Sequence, residues 1–133
     1  MCMAWPKSSK TVRIQKGNLC VADCPTRAVL DHVTSRWGSL VVVLLLESSY
    51  RFSELAYRIG GVSEKMLAQT LRVLEEDGFV LRTVHATKPP KVEYSLTPFG
   101  RELAERMQAL TSYVEANVGR VMAHRAKVAE AIA

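Results

Sequence analysis

Apolar positions along the chain change period several times, and each change predicts an element. Val29, Val33 and Trp37 recur every fourth residue up to Gly38, and Pro25 suits a first helical turn, so the spacing predicts a helix of about three turns. Residues 40–46 are an unbroken apolar run that fits a buried strand or a buried helix; periodicity does not decide, and Val41, Val42 and Val43 favour strand. Phe52, Leu55 and Ile59 form a stripe on a short helix that closes at Gly60-Gly61, where glycine accepts the left-handed conformation. Ser63 then caps a second helix with Leu67, Leu71 and Leu74 on its inner side, stopped by Gly78 after roughly 22 Å at 1.5 Å per residue. Two short helices across a tight glycine turn form the helix-turn-helix signature.

From Phe79 the period falls to two. Residues 79–84 and 92–96 read as strands joined by a tip that holds Lys88, Pro89, Pro90 and Lys91. Thr97-Pro98 restarts a helix by cap and first-turn proline. On it Leu103, Met107, Leu110, Val114, Val118 and Val121 recur at spacings of three and four, a stripe long enough to need a partner. Before residue 23 there is no sustained period, and Pro6, Gly17 and a Lys-Ser-Ser-Lys run predict a mobile arm. The expected fold is mainly α (α+β): a winged helix-turn-helix with a two-stranded β wing and a long C-terminal dimerisation helix. Its expected parts are a basic arm over residues 1–23, a DNA-binding domain over 24–98 and a dimerisation region over 99–133.

Composition narrows the function. With 133 residues, 48% hydrophobic and 23% charged, the chain can build one ordinary core, and a two-domain enzyme is excluded. The longest apolar run has seven residues, far short of the roughly 20 of a membrane span, and nothing resembles a signal peptide, so a soluble cytoplasmic protein is expected, with no membrane partner. The net charge of +5 is unevenly spread. Lys7, Lys10, Arg13 and Lys16 make the arm basic; Arg82, Lys88 and Lys91 outweigh Glu93 in the hairpin; Glu64, Glu75, Glu76 and Asp77 outweigh Lys65 and Arg72 between them.

At this point the residues resemble the HxlR-type transcriptional regulators, which are related to the MarR group. Cys24-Pro25, Arg36-Trp37, Arg51-Phe52-Ser53-Glu54-Leu55 and Val62-Ser63-Glu64-Lys65-Met66-Leu67 carry the likeness. So do Leu71, Leu74-Glu75-Glu76-Asp77-Gly78, Pro89-Pro90-Lys91-Val92-Glu93-Tyr94 and Ser95-Leu96-Thr97-Pro98-Phe99-Gly100. The resemblance implies a helical reading of residues 40–46. It also implies a homodimer on double-stranded operator DNA, often a repressor, that responds to oxidants, electrophiles or small aromatic metabolites.

The residues independently supply a DNA-binding mechanism. With Leu67, Leu71 and Leu74 inward, Lys65, Gln69, Arg72 and Glu76 share the outer face, suited to a major groove. Ser63, Lys65, Met66 and Gln69 occupy the N-terminal half, where side chains reach base edges; Gln69 has the geometry for adenine, and Arg72 suits phosphate or guanine. Arg51 and Ser53 are candidate phosphate contacts at the preceding helix start, with capping by Ser53 as the plainer alternative. Lys88 and Lys91 are candidates for phosphate or minor-groove contact, against an ordinary solvated loop. A single recognition helix reads few base pairs, so two copies about 34 Å apart are expected, paired through Leu103, Met107, Leu110 and Val114 unless that stripe packs within the chain.

The three cysteines, Cys2, Cys20 and Cys24, all precede Pro25, an odd number that argues against a structural disulfide framework. Cys24 lies at a helix start near Arg27, which favours thiolate, and Cys20 is placed to resolve its oxidised form. Some HxlR-type chains have a later second cysteine; this one has none. A buried, inert thiol is the plainer alternative. Zinc on Cys20, Cys24 and His32 lacks a fourth ligand, so no metal site is expected. His32, His85 and His124 match no catalytic signature, and no glycine loop cradles phosphate, so neither enzyme activity nor a cofactor is expected. A small thiol-dependent oxidoreductase and a winged-helix module that binds protein without DNA are the alternative readings.

Overall fold

The computed structural model describes residues 23–132. Helix α1 (Pro25–Thr34) begins after Cys24 with proline in its first turn, and α2 (Arg36–Glu47) follows at a 71° bend. Ser35 makes the bend: its Oγ accepts the Gly38 N–H at 3.1 Å, capping α2, and donates to the His32 carbonyl at 2.8 Å. A Cβ at Gly38 would overlap that same carbonyl, so the corner requires glycine. The single helix expected through Trp37 is thus two; Trp37 lies on α2, because Ser35 ends one helix and caps the next.

Residues 40–46 are helical despite their β-branched run. Val41, Val42 and Leu45 are buried, and α2 packs against α1 and three later elements, so tertiary burial overrides local preference. Short strand β1 (Tyr50–Arg51) leads into α3 (Phe52–Arg58), and a turn with Gly61 at φ +85° leads into α4 (Glu64–Glu76). Gly78, at φ +87°, ends that unit. Strands β2 (Val80–His85) and β3 (Lys91–Leu96) form the wing, antiparallel, with His85 opposite Lys91 and Val80 opposite Leu96. The two-stranded wing gains a third strand, because β1 pairs along β3 with Tyr50 opposite Tyr94 and Arg51 opposite Glu93; the sheet order is β1-β3-β2.

Helix α5 (Pro98–Ile132) has 35 residues, a length of ~52 Å. Thr97 sets its start: the hydroxyl accepts the Gly100 N–H at 2.9 Å and donates to the Gly78 carbonyl at 2.6 Å. A Cβ at Gly100 would overlap the Phe79 carbonyl, so α5 leaves the wing along a path only glycine allows. The core gathers Leu55, Leu67, Leu71, Leu74, Val41 and Val42, and α5 closes it with Ala104 and Met107. The inner part of the expected dimer stripe packs within the chain. Met107 is buried and Leu103 is half-buried against the same core, because the first turns of α5 lie on α2. No single helix among the described residues is long and apolar enough to cross a membrane.

Candidate nucleic-acid interface

Helix α4 is positioned by its inner leucines. Leu67, Leu71 and Leu74 are at most 1% exposed, which leaves the opposite side to solvent. Lys65, Gln69, Arg72 and Glu76 are all exposed there, and Met66 joins them at 41% exposure. At the N-terminus the Ser63 hydroxyl accepts the Met66 N–H at 3.1 Å. Its own O–H still has capacity to donate, and the preceding N–H groups of the first turn have no helical acceptor. Backbone and hydroxyl donors, a lysine and an amide thus share one exposed helix end, a combination suited to phosphate and base edges.

Arg51 and Ser53 are exposed at the start of α3. Arg51, not Ser53, occupies the cap position of α3, and the Glu54 carboxylate accepts its backbone N–H at 3.0 Å. Ser53 lies inside the helix, so the capping alternative does not apply to it. One turn further, Tyr57 is 89% exposed on the same side and was missed by sequence reasoning. Its signal was an aromatic residue outside the Phe52, Leu55 and Ile59 stripe. Next to it Arg58 lies over the Tyr50 ring at 5.6 Å and points a guanidinium nitrogen at Glu47, 3.4 Å away.

In the wing, Lys88 is exposed at the tip, whereas Lys91 is engaged: its Nζ lies 2.6 Å from one Glu93 oxygen. The other Glu93 oxygen lies 3.5 Å from His85 Nε2. The hydrogen bond from Lys91 holds the Glu93 carboxyl below its ordinary range, with the charge of Lys91 and contact with His85 adding to the effect and partial desolvation opposing it. Arg82 is exposed on β2, a cation outside the expected tip.

The acidic end of α4 divides in two. Glu75 and Glu76 are exposed, but Asp77 Oδ2 lies 2.6 Å from His32 Nδ1, tying the helix end to α1. Cys24, the residue just before α1, is 1% exposed, and Cys20 and Cys2 lie outside the described residues. Among the described residues no group of three or more His, Cys, Asp or Glu side chains is placed to hold a metal ion.

A recognition-type helix beside a three-stranded wing now has a counterpart in known sequences, because residues 32–122 match the model of the HxlR-like helix-turn-helix family. The chain belongs to this family. It is 51% identical over 117 residues to the HTH-type transcriptional regulator YtfH of Escherichia coli (strain K12), covering 88% of this chain and 93% of that one. The solved structure of the transcriptional regulator YtfH from Salmonella typhimurium matches with a TM-score of 0.79 at 51% identity, covering 83% of this chain and 98% of that one. The redox regulator HypR in its oxidized form matches with a TM-score of 0.66 at 36% identity, covering 71% and 97% of the two chains. This HxlR-family chain is a DNA-binding transcriptional regulator of the winged helix-turn-helix class, and the family and these relatives are regulators.

Proposed function

We propose that the chain is a homodimeric, sequence-specific repressor that reads operator DNA with α4 and responds to oxidation or electrophiles at Cys24. The observation that carries the DNA reading is the two-sidedness of α4: three leucines buried, and Lys65, Gln69 and Arg72 exposed on the opposite side. Lys65, Met66 and Gln69 meet base edges, Arg72 meets phosphate or guanine, and Ser63 donates to the backbone. Arg51 and Ser53 anchor one flanking phosphate run, and Lys88 and Lys91 the other. In this assignment residues 24–98 bind DNA and residues 99–133 bring two copies together.

For pairing, support comes from the outer part of α5. Leu110, Val114, Val118 and Val121 are each about half exposed, at 53%, 53%, 50% and 48%. Such a continuous apolar stripe on one solvent-facing helix marks an interface. The interface therefore starts at Leu110, with Leu103 and Met107 supporting it from within the core.

The redox reading rests on the position of Cys24 under α1 and on the likeness to HypR, which is named a redox regulator. Because the thiol is buried, an oxidant or small aromatic electrophile reaches it only when the start of α1 opens. Such opening disturbs the helix that His32 ties to Asp77 at the end of α4. Cys20 is assigned as the resolving thiol on sequence grounds alone. Selection of binding sites from random duplex DNA, with reduced and with diamide-treated protein, tests all three parts. A palindromic site enriched only by the reduced protein supports them. An enriched but asymmetric site overturns the dimer, and equal enrichment by both samples overturns redox control. No enrichment overturns the DNA assignment.

A further inference from the structure

The register of the wing places several functional candidates on one face of the sheet. Arg51 of β1 and Thr83 of β2 are both directly opposite Glu93 of β3, and His85 is opposite Lys91. Directly opposed residues in an antiparallel sheet project to the same side, and residues two apart on one strand share a side. Arg51, Lys91, His85 and Glu93 therefore share one face, and on it the carboxylate is paired with Lys91 and His85. Glu93 contacts Lys91 at 2.6 Å and His85 at 3.5 Å.

We propose that Glu93 is an internal stand-in for a backbone phosphate: in the free protein it occupies the basic site of Lys91 and His85 that a DNA phosphate takes in the complex. The inference rests on the DNA reading above and deepens it by naming one phosphate position and its competitor. The physical reason is charge. A carboxylate and a phosphate offer similar acceptor oxygens to a lysine, so Lys91 cannot serve both fully. To engage DNA it must leave a close ion pair and leave Glu93 next to the polyanion. The wing thus delivers less attraction than its two lysines suggest, and sequence-independent binding, which is driven by phosphate contacts, is held down.

The test is a salt titration of the full chain against a fluorescent duplex of mixed sequence, about 20 base pairs or two helical turns long, read by anisotropy. Glu93→Gln is expected to bind more tightly and to steepen the slope of log affinity against log salt by about 0.9, one additional phosphate contact. Its advantage over wild type then shrinks about threefold between roughly 50 and 200 mM salt. The neutral, strand-favouring Glu93→Thr keeps the test valid if the glutamine variant folds poorly, and is expected to give the same slope. Adding Lys91→Gln to Glu93→Gln returns the slope to the wild-type value. Glu105→Gln on α5 makes the same change in net charge away from the wing and leaves the slope unaltered. A wild-type slope in both folded Glu93 variants, or an equal steepening in Glu105→Gln, overturns the proposal while leaving the DNA reading standing. If wild type binds no duplex at any salt concentration, both fall.

Discussion

Met107 and Val114 lie on one stripe of α5, yet the structure predicts opposite consequences for truncating them. Met107 is 7% exposed and part of the core, so Met107→Ala removes buried surface and leaves a void, at a cost of about 2–5 kcal/mol. Val114 is 53% exposed and contributes little to the fold of one chain. If two copies cover it, the half that remains to be buried is worth ~1 kcal/mol per protomer. Val114→Asp then costs ~2 kcal/mol per dimer, a loss of about thirtyfold in association before repulsion between the two new carboxylates is included. Sedimentation equilibrium reports association directly. Urea melts at several protein concentrations separate fold from assembly, since only assembly makes the midpoint depend on concentration. Met107→Ala is expected to lower the midpoint at every concentration. Val114→Asp is expected to give a folded monomer with a concentration-independent midpoint. If Val114→Asp still sediments as a dimer at micromolar concentration, or Met107→Ala melts like wild type, α5 is not divided between core and interface after Met107.

Further outcomes follow from the same geometry. Lys65→Ala and Gln69→Ala each weaken binding to the selected site by ~1–3 kcal/mol and relax preference at the bases they face, measured by competition between the selected and scrambled duplexes. Lys88→Ala weakens both duplexes alike and lowers the salt slope by about 0.9, with a change confined to the selected site counting against a phosphate role. The Glu93 pairing stabilises the wing at pH values above the ordinary 4.5 of that carboxyl, and this contribution is lost as pH falls through its lowered folded value. Thermal melts should therefore separate wild type from Glu93→Gln just above pH 4.5, and the gap should close in more acidic buffer. Diamide should modify Cys24 and release the selected duplex, whereas Cys24→Ser stays bound; mass spectrometry and anisotropy on the same samples check this.

Much of the fold was legible in sequence because its signals are local. The Gly60-Gly61 turn, the Ser63 cap, the leucines of α4 and the Thr97-Pro98 restart each depend on a few neighbouring residues. The exposed face of α4 follows from them by helical period alone. The break at Ser35 was hidden, since the fourfold spacing of Val29, Val33 and Trp37 continues in sequence past the serine although the helix axis turns there by 71°. Tyr57 was passed over because exposure of a single aromatic has no periodic signature. The acidic end of α4 looked uniform in sequence, and only the approach of His32 from α1 separates Asp77 from Glu75 and Glu76.

By itself the chain determined which segments are helices or strands wherever caps, glycines and period agree, and which side of α4 faces outward. These are decided within a few residues by hydrogen bonding and apolar spacing. Tertiary structure decided the rest: that Val41, Val42 and Val43 are helical, that β1 joins the wing, that Lys91 is paired with Glu93, and that the α5 stripe turns from core to surface after Met107. Each of these depends on what lies across from a residue, and burial and charge pairing are set by neighbours distant in sequence.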